Sequence, residues 1–182
     1  KILGKDPRNV YELNRHEAQQ VLKNAALQFY KNHVDAAEKQ KIWVWDSTQQ
    51  TVVQKELASQ EVGLIEGLRL AKEALEMSPD KQDVQTLYLS MVLALEAYQV
   101  GWNHPLPEGP GTAFNLALLS GPKAVSQVLA LAMKQGHTPS ALAALKALGQ
   151  IGSRNLLYEK LDQHSSVIAA LNYPDRRVQF AA

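Results

Sequence analysis

Cysteine is absent from all 182 residues, which excludes disulfides, thiolate metal sites and cysteine nucleophiles. No run approaches the roughly 20 consecutive apolar residues of a membrane helix. The opening KILGKDPRN lacks the apolar core of a secretory signal. The sequence therefore reads against membrane insertion and against a lipid anchor. An excess of one charge is lacking too, with 19 Lys+Arg facing 18 Asp+Glu. Phosphate-cradling and nucleophile motifs are missing: there is no Gly-x-x-x-x-Gly-Lys-Ser/Thr, no Gly-x-Gly-x-x-Gly and no Gly-x-Ser-x-Gly. His16, His33, His104, His137 and His164 include no His-x-x-x-His pair, and a metalloprotease-like start at His16-Glu17 fails at Gln20. These histidines read as surface or capping groups. Carboxylates one helical turn apart, Asp35/Glu38 and Glu73/Glu76, sit among lysines and read as a solvated face. The expectation is a chain with no cofactor and no catalytic site.

What is present is helical periodicity. Val21, Leu22, Ala25, Ala26 and Phe29 recur three and four apart and predict an amphipathic helix over 14–32. In the segment after it, Ile42/Val44 alternate with Trp43/Trp45 and a polar Asp-Ser-Thr-Gln-Gln cluster precedes Val52 and Val53, which predicts a short hairpin near 42–54. Leu64, Leu68, Ala71 and Leu75 predict a helix over 59–77, stopped by Ser78-Pro79-Asp80. Pro79 also suits the first position of the next helix. That helix, about 80–99, aligns Val84, Leu87, Tyr88, Met91, Leu95 and Tyr98, and so short a turn makes the two antiparallel.

Three prolines and three glycines crowd residues 101–111, which read as a linker between a 1–100 helical-hairpin segment and a second segment, 112–182. Beyond it the helices are shorter and richer in Ala and Leu, expected near 112–119, 122–135, 139–149, 154–162 and 165–171, with another from 175. Thr138 before Pro139 reads as an N-cap with proline at the first helical position. Pro-Ser-Ala-Leu-Ala-Ala at 139–144 and Asp-Arg-Arg-Val-Gln-Phe-Ala-Ala at 175–182 superpose at an offset of 38 residues. Short helices recurring at such a period mark an α-solenoid. In detail, SALAALKALGQIG, SSVIAALN and YPDRRVQFAA resemble HEAT-type repeats over 112–182, with Ser140 standing where Val178 supplies an aliphatic residue. Gly67, Ala71, Ala74 and Pro79 in GLRLAKEALEMSP resemble, more weakly, one helix of a tetratricopeptide repeat within 59–100, although Gln85 and Leu89 depart from that pattern. The composite is similar to large bacterial repeat proteins. A missing initiator methionine and an end inside an apolar helical pattern, Gln179-Phe180-Ala181-Ala182, are what a piece of a longer polypeptide would show.

The resemblance implies an all-α right-handed superhelix of stacked hairpins that binds a protein or peptide and performs no catalysis. Trp43, Trp45 and Trp102 are candidates to stack a ligand or anchor such a partner; the plainer reading is that they plug the junction between irregular segments and helices. Asp175 followed by Arg176 and Arg177 reads as inter-repeat capping and stacking. Net charge runs +3 over 1–41, −6 over 42–108 and +4 over 109–182, with no acidic residue from 109 to 158. The acidic middle is therefore a candidate to dock against the basic second half. Lys123, Lys134, Lys146 and Arg154 in that second half would form a mild basic strip if they share one edge, giving nucleic-acid binding as the alternative function. Nothing in the sequence assigns an oligomeric state.

Overall fold

The computed structural model of the protein describes residues 15–31, 39–46, 49–101, 104–152 and 165–182. Among these, seven helices make up 72% of the residues and one antiparallel pair of strands accompanies them. In chain order they are α1 (Arg15–Lys31), β1 (Lys39–Asp46), β2 (Thr51–Ala58), α2 (Ser59–Met77), α3 (Gln82–Val100), α4 (Ala113–Gln135), α5 (Thr138–Ile151), α6 (Ser166–Leu171) and α7 (Arg176–Ala181). The helix expected over 154–162 lies outside the described residues.

Helix α3 organises the packing. Its stripe of Leu87, Met91 and Ala94 joins Ala26, Tyr30, Leu64 and Ala71 in one apolar cluster. Its opposite stripe of Leu89, Leu93 and Ala97 joins Phe114, Val125, Val128, Leu129, Ala144 and Val178 in a second. A helix buried on two sides must be apolar nearly all round; the six-residue stripe in the sequence is only half of what is covered. α1, α3, α5 and α7 touch in that order, α2 packs on α1 and α3, and α4 packs on α3, α5 and α6. α1 is turned relative to its apolar spacing. Gln19, Ala26 and Tyr30 are its buried residues, while Val21 and Phe29 face outward.

Two serines make the reason for that turn visible. The Tyr30 hydroxyl and Ser90 Oγ are 2.6 Å apart, Ser90 Oγ and Ser140 Oγ are 2.7 Å apart, and Ser140 Oγ donates to the Ser90 carbonyl at 3.1 Å. These three side chains are fully buried, so the chain of hydroxyls satisfies polar groups that would otherwise be desolvated without partners. It ties α1, α3 and α5 together at one point. Ser140, at the place where the 38-residue superposition would put an aliphatic side chain, meets Ser90. A second buried pair, Ser126 and Ser166 at 2.7 Å, joins α4 to α6.

Helix ends correct two expectations. Pro79 lies inside a turn closed by Lys81 N–H donating to the Ser78 carbonyl at 3.2 Å, and α3 begins only at Gln82. Its fixed φ serves the second position of a β-turn rather than a first helical turn. Thr138 does not cap α5; His137 occupies the cap position and its side chain does not cap the helix, while the Thr138 hydroxyl donates instead to Asp175 Oδ2 at 3.3 Å. α4 starts on two caps. Thr112 Oγ1 accepts from Asn115 N–H at 3.1 Å, and the Glu96 carboxylate of α3 accepts from Ala113 and Phe114 N–H at 2.9 and 3.1 Å. At Gly121, φ 81 and ψ 170 interrupt α4 between 113–120 and 122–135, a conformation open to glycine alone. α4 is long and apolar enough by composition to cross a membrane. In this fold one of its faces is buried in the second cluster, and neither part alone has the roughly 20 residues of a span.

Gly67 faces the closest approach of helices. A Cβ there would stand 2.3 Å from Met91 Cε and 2.8 Å from Phe29 Cβ, whereas one at Gly63 would meet only a carbonyl 4.0 Å away. Gly67→Ala is therefore expected to destabilise by about 1–3 kcal/mol through overpacking, and Gly63→Ala to stabilise by about 0.5–1 kcal/mol through helix propensity; urea unfolding of both checks the contrast. Ser90→Ala is expected to cost about 1–3 kcal/mol by stranding its partners. Adding Tyr30→Phe then costs less than Tyr30→Phe alone, a coupling that a double-mutant cycle measures.

Candidate functional site

The expected hairpin is present and longer than its sequence signal. Asp46 Oδ1 accepts from Gln49 N–H at 3.1 Å at its turn, and the strands pair from Lys39–Ala58 to Asp46–Thr51. Alternation puts Lys39, Lys41, Trp43 and Trp45 on one face with Val52, Gln54 and Glu56 beside them. Ile42, Val44 and Val53 on the other face are half-buried. Trp43 and Trp45 are 67% and 65% exposed, so neither plugs a junction; the covered face is the aliphatic one. Trp102 lies outside the described residues.

The basic candidates are placed apart rather than gathered. Lys123 and Lys134 are exposed on α4, eleven residues apart and hence on one helix face about 16 Å distant along the axis. Lys146 on α5 is engaged: its Nζ is 3.8 Å from Glu108 and 5.0 Å from the Phe114 ring centre. Arg154 lies outside the described residues. Among the described residues, the acidic middle forms ion pairs with the basic segments through this contact and through Lys23 Nζ to Asp83 at 2.7 Å. Glu73 and Glu76 are exposed and paired with Arg69 and Lys72 one turn away, the solvated face expected of them; Asp35 and Glu38 lie outside the described residues.

Sequence reading misses a groove. α2 and the first half of α4 flank α3 without closing over it, leaving a space of about 360 Å³ lined by Leu75, Gln85, Thr86, Tyr88, Leu89, Leu116, Ser120 and Ala124. A neighbouring space of about 270 Å³ shares Tyr88 and Leu116 and continues to Val92, Asn115 and Leu119. Leu119 is 78% and Leu116 39% exposed. The walls are mostly apolar, with the Thr86 hydroxyl turned back onto the Gln82 carbonyl at 2.7 Å and the Ser120 hydroxyl onto the Leu116 carbonyl at 2.8 Å. Such a trough accepts apolar side chains and offers few polar groups for chemistry.

A buried cluster of tyrosine, serine and histidine side chains lies elsewhere. Tyr30 stacks on His137 with ring centres 4.4 Å apart and planes 9° from parallel, and Tyr98 meets His137 edge-on at 6.1 Å. His137 is therefore a buried packing residue and not a surface one. Burial pushes the Tyr30 hydroxyl well above its usual range, so it stays protonated at any ordinary pH. None of Tyr30, Ser90, His137 or Ser140 lines the groove. Among the described residues, no group of three or more His, Asp and Glu could hold a metal ion. His16 and His104 are exposed, and His33 and His164 lie outside the described residues.

Asp175 caps α7 and braces α5. It accepts from Arg177 N–H at 2.9 Å, takes the Arg177 guanidinium at 2.6 and 3.1 Å, and receives the Thr138 hydroxyl. The Arg177 hydrogen bond holds its carboxyl down at about 2 from an ordinary 3.8. A lowered value in the folded state stabilises above the ordinary value and is lost as pH falls through the lowered one. Asp175→Asn, which keeps a capping oxygen, is accordingly expected to lower the thermal unfolding midpoint at neutral pH. The gap to the parent should narrow below pH 3.8 and vanish below about 2, as a pH series of melting curves would show. Compared with protein-family models, with curated proteins and with solved structures, the chain has no match.

Proposed function

We propose that the chain is a non-catalytic scaffold for protein–protein interaction, its helical hairpins stacked as a right-handed solenoid of HEAT-like units after a tetratricopeptide-like segment. The observation that carries this reading is the apolar groove between α2, α3 and the first half of α4, with Tyr88, Leu116 and Leu119 along it. A partner helix or peptide would lay apolar side chains into that trough. The start of α7 lies 38 residues after that of α5, and the two helices pack together, which supports the repeat reading. Nucleic-acid binding along Lys123, Lys134, Lys146 and Arg154 has less support, because Lys146 is committed to Glu108 and Phe114.

The test is capture of partners from a lysate of the source organism on the immobilised chain, with and without nuclease, beside Leu116→Glu/Leu119→Glu. Both leucines are at the surface, so the variant is expected to fold with an unchanged circular dichroism spectrum. The reading predicts discrete protein partners that survive nuclease and fall at least tenfold on the variant. Partners retained by the variant, or lost with nuclease, would overturn it.

A further inference from the structure

The β1–β2 hairpin is unnecessary to either apolar cluster, yet it presents two indoles to solvent. We propose that its outer face binds single-stranded nucleic acid, with Trp43 and Trp45 stacking on bases and Lys39 and Lys41 meeting the phosphates. This does not rest on the groove. Trp43, Trp45 and Val52 are 67%, 65% and 52% exposed on one face, an apolar patch of the kind that marks binding. Burying two indoles there would contribute nothing to the fold, since the half-buried face is the one carrying Ile42, Val44 and Val53.

Spacing and charge choose the occupant. Alternate residues of an antiparallel strand stand about 6.8 Å apart, twice the 3.4 Å rise of a base in a stacked strand. Two indoles at that interval match the thickness of one base between them, or carry one base on each outer side. Lys39 and Lys41 continue the same line at the same interval, and Glu56, directly opposite Lys41, is the single acidic residue on that face of the hairpin's strands. A polyanion whose bases are unstacked satisfies both the rings and the ammonium groups. A duplex satisfies only the latter, because its bases are already stacked on one another. A purely apolar protein surface would leave Lys39, which stands opposite Ala58, desolvated without a partner.

The experiment is fluorescence anisotropy of a labelled oligothymidine of about 20 nucleotides, long enough for a single-strand platform, titrated with the full chain at low and at physiological salt. Expected are saturable binding, at least tenfold weaker binding of the same sequence annealed to its complement, and at least tenfold loss in Trp43→Ala/Trp45→Ala. Trp43→Phe/Trp45→Phe is expected to restore most of the affinity, and Lys39→Ala/Lys41→Ala to flatten the salt dependence by about one counterion or more. All four substituted side chains lie on the outer face of the hairpin, so circular dichroism spectra should superpose on the parent. Absence of saturable binding, equal affinity for the duplex, or unchanged affinity in the double tryptophan variant would overturn the proposal. So would loss confined to Lys123→Ala/Lys134→Ala, which would move the contact to α4. A dimer seen by ultracentrifugation and dispersed by Trp43→Ala/Trp45→Ala, with oligonucleotide affinity intact, would overturn it in favour of a second copy on this face.

Discussion

Everything in this fold depends on α3 being covered on both sides. A helix with Leu87, Met91 and Ala94 along one flank and Leu89, Leu93 and Ala97 along the other can satisfy neither flank alone. It therefore recruits α1 and α2 to one side and α4 and α5 to the other. Apolar burial is non-directional and would let these neighbours slide. Ser90 removes that freedom, because a hydroxyl buried at the helix centre must find partners at fixed places. It finds Tyr30 on one flank and Ser140 on the other. The registers of α1 and α5 against α3 follow from one polar atom.

The same placement explains what the chain can offer a partner. With α3 as a shared wall, α2 and α4 lie on either side of its outer surface, and the space between them is the groove. Glu96 fixes the start of α4 from α3 itself, so the groove floor and one wall are held by a single charge-assisted contact, with the positive end of the α4 dipole adding to it. The hairpin, which rests on α2, lies outside this arrangement. Groove and hairpin thus present two chemically unlike surfaces, one aliphatic and one aromatic with cations.

How much of this the sequence discloses varies with the range of the interaction. The bounds of α2, the break at Gly121-Pro122 and the start of α7 at Asp175 are legible because proline, glycine and capping residues act within a few positions. The hairpin is legible in its alternation. Its covered face is not, since tryptophan outranks valine and isoleucine in area yet the half-buried side is the aliphatic one. In α1 the spacing of Val21 and Phe29 marks a core face, whereas Tyr30 and Gln19 occupy the core. The partner that draws Tyr30 inward is 60 residues away, beyond any local pattern. His137 is hidden for the same reason, its stacking on Tyr30 being a tertiary event. The groove is a gap left between α2 and the first half of α4, and no residue pattern in either helix records it.

Gly121 separates two duties that a continuous helix would have to share. Residues 113–120 supply most of the α4 wall of the groove, with Ala124 just beyond the break, and residues 122–135 seat Ser126 against α6, the axis changing at Gly121. Pro122 deepens the separation by removing a donor at the junction. Variation at Leu116 and Leu119 is thereby insulated from the stacking of the helices that follow. On the proposed scaffold reading, the wall of the groove is free to change while the packing of α5, α6 and α7 stays constant.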